Sequence, residues 1–234
     1  MRILIIDNNI DLDAWGAGNL RKYAVTVPGA TVEVRRAPQE DLPKDLRVYD
    51  RIVISGSKTS CLEDAPWIAK LDEEVRRAME ARQPILGVCY GHQIIARAIG
   101  GKASVRRGEN GEFGWTQIER LPGAAGDSPL LEGLPRQFHS FSSHYEEVGQ
   151  LAKGMRQLAR SRDCELQAFE VEGYPVFGIQ FHPEKNLADG EQIFREQRAK
   201  NELRTLLRPK EGLKLYDPQI ATRIFDNFFK GAFL

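Results

Sequence analysis

The feature that most constrains this chain is an alternation of short apolar runs with helix-period segments. Four runs rich in β-branched residues, "RILIID" (2–7), "TVEVRRA" (31–37), "RIVISG" (51–56) and "PILGVC" (84–89), read as buried strands. Between the last two, "APWIAKLDEEVRRAMEARQ" (65–83) spaces Trp67, Ile68, Leu71, Val75 and Met79 along one helical stripe. After the last, "HQIIARAIGG" repeats the pattern with Ile94, Ile95, Ala98 and Ile99. It stops at Gly100-Gly101, a helix C-terminal signal. Strands in this setting belong to a parallel sheet covered by helices on both faces.

From about residue 103 the texture changes. "ASVRRG", "GWTQIERL", "RQFHSFSS", "RQLARS", "LQAFEVE" and "VFGIQF" are strand-like runs separated by turns. They predict a smaller antiparallel portion that returns to the main sheet. "DPQIATRIFDNFF" (217–229) sets Ile220, Ile224, Phe225 and Phe228 on one side of a helix. The stretch 185–216 is charged and weakly periodic, with a helix expected around "GEQIFREQRAKNELRTLL". The fold class is therefore α/β: a single domain with a doubly wound, mostly parallel central sheet of flavodoxin-like kind. Its expected extent is 1–234, with 185–216 an insertion and 217–230 a closing helix.

Lys+Arg and Asp+Glu both number 33, so the net charge is zero and gives no reason to expect nucleic acid or an anionic membrane as partner. No run approaches the roughly 18 apolar residues of a membrane span. "MRILIIDNN" holds too short an apolar core for a signal peptide and reads as the first strand. Three widely spaced cysteines, Cys61, Cys89 and Cys164, show no CxxC spacing and suit neither a metal site nor a disulfide framework. The expected compartment is the cytoplasm.

Cys89 stands at the seam between a strand and a helix, in "GVCYG". Glycines two residues before and two after it match a nucleophile elbow, where a strained residue at a tight strand-to-helix turn needs small neighbours. A helix N-terminus carries partial positive charge and free N–H groups, which favour a thiolate. The N–H of Tyr90 can help hold an oxyanion. Taken alone, these residues suit a nucleophile and a buried small side chain about equally, since free cysteine is commonly buried.

A nucleophile needs a base, and the base needs an orienter. Of four histidines, His92 falls inside the helix after Cys89, where packing suits it better, and His139 and His144 lie in or beside a strand. His182 ends the apolar run "VFGIQF" and is followed by Pro183 and Glu184. Strand ends of an open parallel sheet face its ligand crevice. Glu184 can hold the imidazole tautomer there, as the acid of a Ser-His-Asp set does.

Here the chain resembles the class I, triad-type glutamine amidotransferases. "GVCYGHQIIARAIGG" is similar to that family's G-x-C-x-G-x-Q segment, and "GIQFHPE" to its G-x-Q-F-H-P-E segment about 90 residues later. The resemblance spans roughly residues 2–186, and "RIFDNFF" is similar to the closing helix. It implies that Cys89 attacks the side-chain amide of L-glutamine or of another γ-glutamyl compound. His182 would activate the thiol and protonate the departing ammonia, with Glu184 orienting it, and water would release glutamate from the thioester. It implies a substrate contact at Gln93, and backbone contacts at Ser143, His144 and Tyr145 within "SSHYEEV", similar to S-H-x-D-x-V. For His144 a structural place at a strand end is the alternative. "SGSKTS" (55–60) stands where the family has S-G-G-P-x-S, and implies an oxyanion N–H at Gly56 or Ser57 beside that of Tyr90. Ser57 and Lys58 depart from that pattern. A serine keeps the N–H provided its φ is not positive.

Within the family the likeness is strongest to the glutaminase part of GMP synthase and its free-standing relatives. Three readings follow. The chain is a glutaminase supplying ammonia to a separate synthase, or a γ-glutamyl peptide or amide hydrolase using the same three residues, or a binding module. The intact Cys89, His182 and Glu184 speak against the third. No cofactor or metal is expected, because thiolate chemistry needs none.

Overall fold

The structure, a computed structural model, describes residues 1–11, 16–122, 128–199 and 212–233. In chain order its elements are β1 (Arg2–Asp7), α1 (Ala17–Ala24), β2 (Thr31–Arg36), β3 (Arg51–Ile54), α2 (Pro66–Glu80), β4 (Ile85–Val88) and α3 (Tyr90–Gly100). Then come β5 (Val105–Arg120), β6 (Gln137–Val148), β7 (Met155–Arg160), β8 (Ala168–Val171), β9 (Val176–Ile179), α4 (Leu187–Ala199) and α5 (Pro218–Lys230), the last preceded by one helical turn at Gly212–Leu215.

Among the described residues all nine strands join one sheet, in the order β2-β1-β3-β4-β9-β8-β7-β5-β6. From β2 to β9 the pairings are parallel, and from β9 to β6 they are antiparallel. The antiparallel portion thus extends the main sheet, as expected. Alternation along β1 explains the two layers of core. Ile3 and Ile5 pack with Leu20 of α1 and Phe225 and Phe228 of α5. Leu4 and Ile6 pack with Trp67, Ile68 and Leu71 of α2 and Ile94 and Ile95 of α3. All four β1 side chains are at most 1% exposed. Each such burial contributes roughly 1.5–3 kcal/mol, which is why strands apolar on both faces settle in the parallel half.

Local signals place the helices. Pro66 opens α2 at its first turn, where a missing N–H costs nothing. Arg82, at φ 57, stops the chain from continuing it. Helix α1 has no counterpart in the sequence reading, because its eight residues carry one large apolar side chain, Leu20. The runs "ASVRRG" and "GWTQIERL" are one sixteen-residue strand, β5, with a register shift between Arg107 and Glu112. The intervening "GENG" has turn composition but forms a β-bulge, which bends the strand beside the candidate site.

Helix α4 covers the antiparallel half through Phe194, whose ring lies 5.7 Å from that of Phe141. It begins three residues before the helix expected around 190–207, and residues 200–207 of that expectation lie outside the described residues. Helix α5 matches the expected closing helix within one residue at each end. No described helix is long and apolar enough to cross a membrane. The strand order reverses beside β1, which pairs with β2 on one side and β3 on the other. The carboxyl ends of β1, β3, β4 and β9 converge at that reversal, where open α/β sheets hold ligands.

Candidate active site

Cys89 caps α3 at φ 53, ψ −102, a conformation non-glycine residues avoid. The two glycines around it are required by space. A Cβ on Gly87 would lie 2.3 Å from the Gly91 carbonyl oxygen, and one on Gly91 2.2 Å from that of Ile54. The turn therefore closes only with glycine at both places. The strain aims the Cys89 side chain out of the sheet, and its Sγ lies 3.9 Å from the Ser143 carbonyl oxygen.

His182 follows the end of β9, and its N–H donates to the Phe141 carbonyl oxygen at 2.7 Å. That bond ties the β9 end to β6 and fixes the imidazole beside Cys89. The ring Nδ1 lies 2.7 Å from Glu184 Oε1. An ionised carboxylate only accepts, so Nδ1 carries the proton and donates. Cys89 lies beside the same ring, both of them lining one cavity and flanking Gly56. Burial pulls the His182 pKa down, but Glu184 and Cys89 outweigh it and raise it to about 10. Burial pushes the Glu184 carboxyl up, and the neighbouring His182 charge more than offsets this and holds it below its ordinary value. The group can thus hold a proton on the imidazole next to the Cys89 sulfur.

A cavity of about 380 Å³ opens on these residues. Of the residues singled out in the sequence, Gly56, Ser57, Gln93, Ser143, His144 and Tyr145 line it together with Cys89, His182 and Glu184. Tyr90 does not. Its ring turns into the core, 6.0 Å from that of Trp67. Gly56 sits tightly, since a Cβ there would come within 2.9 Å of His182 Cε1 and 3.5 Å of Cys89 Cβ. Positive φ occurs among the described non-glycine residues only at Glu40, Arg82 and Cys89. Ser57 is therefore unstrained, and its departure from the family glycine costs the loop nothing in backbone conformation. Its hydroxyl donates to the Asn8 carbonyl oxygen at 2.8 Å.

Gln93 spends its amide N–H groups on the Glu146 carbonyl oxygen (2.7 Å) and Gln180 Oε1 (3.1 Å). His144 has both ring nitrogens engaged, Nε2 with Glu112 Oε2 at 2.9 Å and Nδ1 with the Glu146 carbonyl oxygen at 3.1 Å. His144 thus sits within β6 with its ring held by protein groups. His92 is fully buried against Phe169, and burial pushes its pKa down to about 3, so it packs as a neutral ring. Residues the sequence reading missed also line the cavity, notably Asn9, Arg107, Phe113, Glu146 and Lys185. Glu146 lies inside "SSHYEEV", at the aspartate place of S-H-x-D-x-V, Lys185 directly follows Glu184, and Arg107 and Phe113 flank the β5 bulge.

Glu112, His144 and Cys164 could offer ligand atoms within 4.8 Å of one another to a metal ion. Both Glu112 oxygens are already spoken for. Oε1 accepts from Ser161 Oγ at 2.6 Å, and Oε2 meets His144 Nε2 and the Gln167 amide. The donor set fits a closed hydrogen-bond network rather than an open coordination site.

A family model described as glutamine amidotransferase class-I matches residues 5–200. A glutamine-hydrolyzing GMP synthase subunit of Pyrococcus abyssi is 42% identical over 194 residues, covering 82% of this chain and 95% of that one. The corresponding subunit of Thermococcus kodakarensis is 42% identical over 117 residues, half of this chain and 59% of that one. Gamma-glutamyl peptidase 3 of Arabidopsis thaliana is 36% identical over 148 residues, 61% of this chain and 57% of that one. A crystal structure of a glutamine amidotransferase from Thermotoga maritima superposes with a TM-score of 0.79 at 20% identity, over 98% of this chain and 96% of that one, and so shares the fold.

Proposed function

The chain belongs to the class-I glutamine amidotransferase family, and from that premise we propose that Cys89 carries its chemistry. The protein is a glutamine-hydrolysing amidotransferase enzyme. In the proposed mechanism His182 takes the Cys89 proton and the thiolate attacks the side-chain amide carbon of glutamine. The oxyanion is held by the N–H of Tyr90 and that of Gly56 or Ser57. His182 gives its proton to the departing ammonia, and Glu184 keeps the imidazolium oriented. Water, activated by His182, then hydrolyses the γ-glutamyl thioester to glutamate and frees the thiol. Gln93 helps hold the substrate glutamine, and the backbone at Ser143, His144 and Tyr145 faces its amino-acid end. The reading is carried by one observation: a cysteine in a forced backbone conformation faces a His182–Glu184 pair inside a cavity.

The two archaeal relatives are subunits by name, which supports a separate synthase partner that accepts the ammonia from this chain too. We take residues 1–234 as one catalytic domain, with 185–216 an elaboration and 217–230 its closing helix. The cytoplasm suits its three free cysteines.

A second reading, γ-glutamyl peptide or amide hydrolysis, draws on the cavity itself. It runs past Cys89 to Lys58, Phe113, Tyr145 and Arg107, leaving room for a leaving group larger than ammonia. Glutamate release from L-glutamine and from γ-glutamyl dipeptides separates the two. The expected result is a higher kcat/KM for glutamine, and a higher value for the dipeptides overturns the amidotransferase reading.

A further inference from the structure

We infer that Glu146 is a positioning residue for this site, acting by clamping the loop that carries the Gly56 and Ser57 N–H groups. The inference rests on the proposed Cys89 mechanism. Glu146 lies on β6, in register with Arg107. One carboxylate oxygen accepts from the Ser60 hydroxyl, and the other accepts the Cys61 N–H at 2.8 Å. Its main-chain carbonyl oxygen separately accepts from Gln93 and His144. One residue thus holds the far end of the loop with its side chain and the proposed substrate residue Gln93 with its backbone.

The near end of the loop is held from the end of β1. Asn8 Nδ2 donates to the Ser55 carbonyl oxygen at 2.8 Å, and Asn9 Nδ2 to that of Gly56 at 3.3 Å. Ser57 Oγ ties its own turn to the end of β1, donating to the Asn8 carbonyl oxygen and accepting the Thr59 N–H at 3.0 Å. These bonds supply the restraint that a proline at position 58 would otherwise give. With Gly56 wedged against His182 and Cys89, a loop freed at Ser60 would redirect the oxyanion N–H without touching the nucleophile. A carboxylate suits the clamp because it offers one acceptor oxygen to each donor. The loop is accordingly held at both ends by residues of this chain.

The test compares Glu146→Ala and Glu146→Gln in the isolated chain, by glutaminase kinetics and by the rate at which iodoacetamide alkylates Cys89. Alkylation is a displacement at carbon with no oxyanion, so it reports the nucleophile alone. Since loss of one oxyanion donor costs about 10²–10³ in kcat, Glu146→Ala should lower kcat by roughly 10- to 100-fold. KM should change little, because the main-chain contact to Gln93 survives, and alkylation should stay within about twofold. Glu146→Gln, which can still accept the Cys61 N–H and donate to Ser60, should recover part of kcat. An unchanged kcat in Glu146→Ala, or kcat and alkylation falling together, overturns the clamp. If Glu146→Ala does not fold, Ser60→Ala takes its place with the same readouts and the same two overturning results. Failure of the underlying mechanism looks different: Cys89→Ala would then still release glutamate.

Discussion

The chain holds two buried sets of cysteine, histidine and glutamate, and they differ in everything except residue type. Cys89, His182 and Glu184 meet at the strand ends of the parallel half. Cys164, His144 and Glu112 meet in the antiparallel half. In the first set the thiol is forced to φ 53 and opens on the cavity, and the carboxylate is aimed at one ring nitrogen. In the second, Cys164 is 2% exposed and away from that cavity, inside a turn closed by Ser161. Glu112 there is filled by Ser161, His144 and Gln167, and His144 is filled by Glu112 and Glu146. Burial pushes the Cys164 thiol strongly up, and Glu112 and Glu147 add to the effect, so it stays protonated. The difference teaches that access and spare hydrogen-bonding capacity suit the first set to the proposed chemistry, whereas a saturated network of the same groups makes a brace.

The sharpest way to break this contrast is to remove each thiol. Cys89→Ala should lower kcat by about 10⁴-fold or more, because the covalent route is lost. Cys164→Ala should leave kcat within about twofold and cost roughly 1 kcal/mol of stability, read as a fall in Tm of a few degrees. Next come the carboxylates. Glu184→Gln should reduce kcat by about 100- to 10,000-fold, as loss of an orienting acid does elsewhere. Glu112→Gln should act on stability instead, by about 1–3 kcal/mol, since it leaves buried partners unmatched.

A further expected effect is in the pH dependence of stability. His182 has a raised pKa in the fold, so its contribution is full below the unfolded histidine value of about 6.5 and is lost as pH rises toward about 10. His92 has a depressed one, so its contribution is full above that value and is lost as pH falls toward about 3. Thermal melts across pH should therefore fall away on both sides. Glu184→Gln should flatten the alkaline side, and on the acid side it should remove only the loss due to Glu184's own depressed pKa, below about pH 4.3, leaving that of His92.

The two halves also differed in how legible they were. The four strands β1 to β4 matched their apolar runs within two residues; β1, β3 and β4 are buried on both faces and need no partner to reveal them, and the edge strand β2 shows by its β-branched residues. Cys89, His182 and Glu184 were readable because glycine spacing, a helix start and a strand-end histidine are local signals. In the antiparallel half the strands were visible but their continuity was not: the bulge between Arg107 and Glu112 has the composition of a turn. Helix α1 escaped notice because most of what holds it is the sheet beneath. Glu146 escaped because its partners, Ser60, Cys61 and Gln93, come from elements far apart in the chain. Sequence reading finds a site's reactive groups more readily than the groups that hold them in place.

The most direct measurement of the central claim is to treat the intact protein with a glutamine-shaped halomethyl ketone and map the adduct by peptide mass spectrometry. The predicted result is a single adduct on the peptide carrying Cys89, blocked by excess glutamine and accompanied by full loss of glutamate release. An adduct on Cys164 or Cys61, with Cys89 unmodified and activity lost, would contradict it.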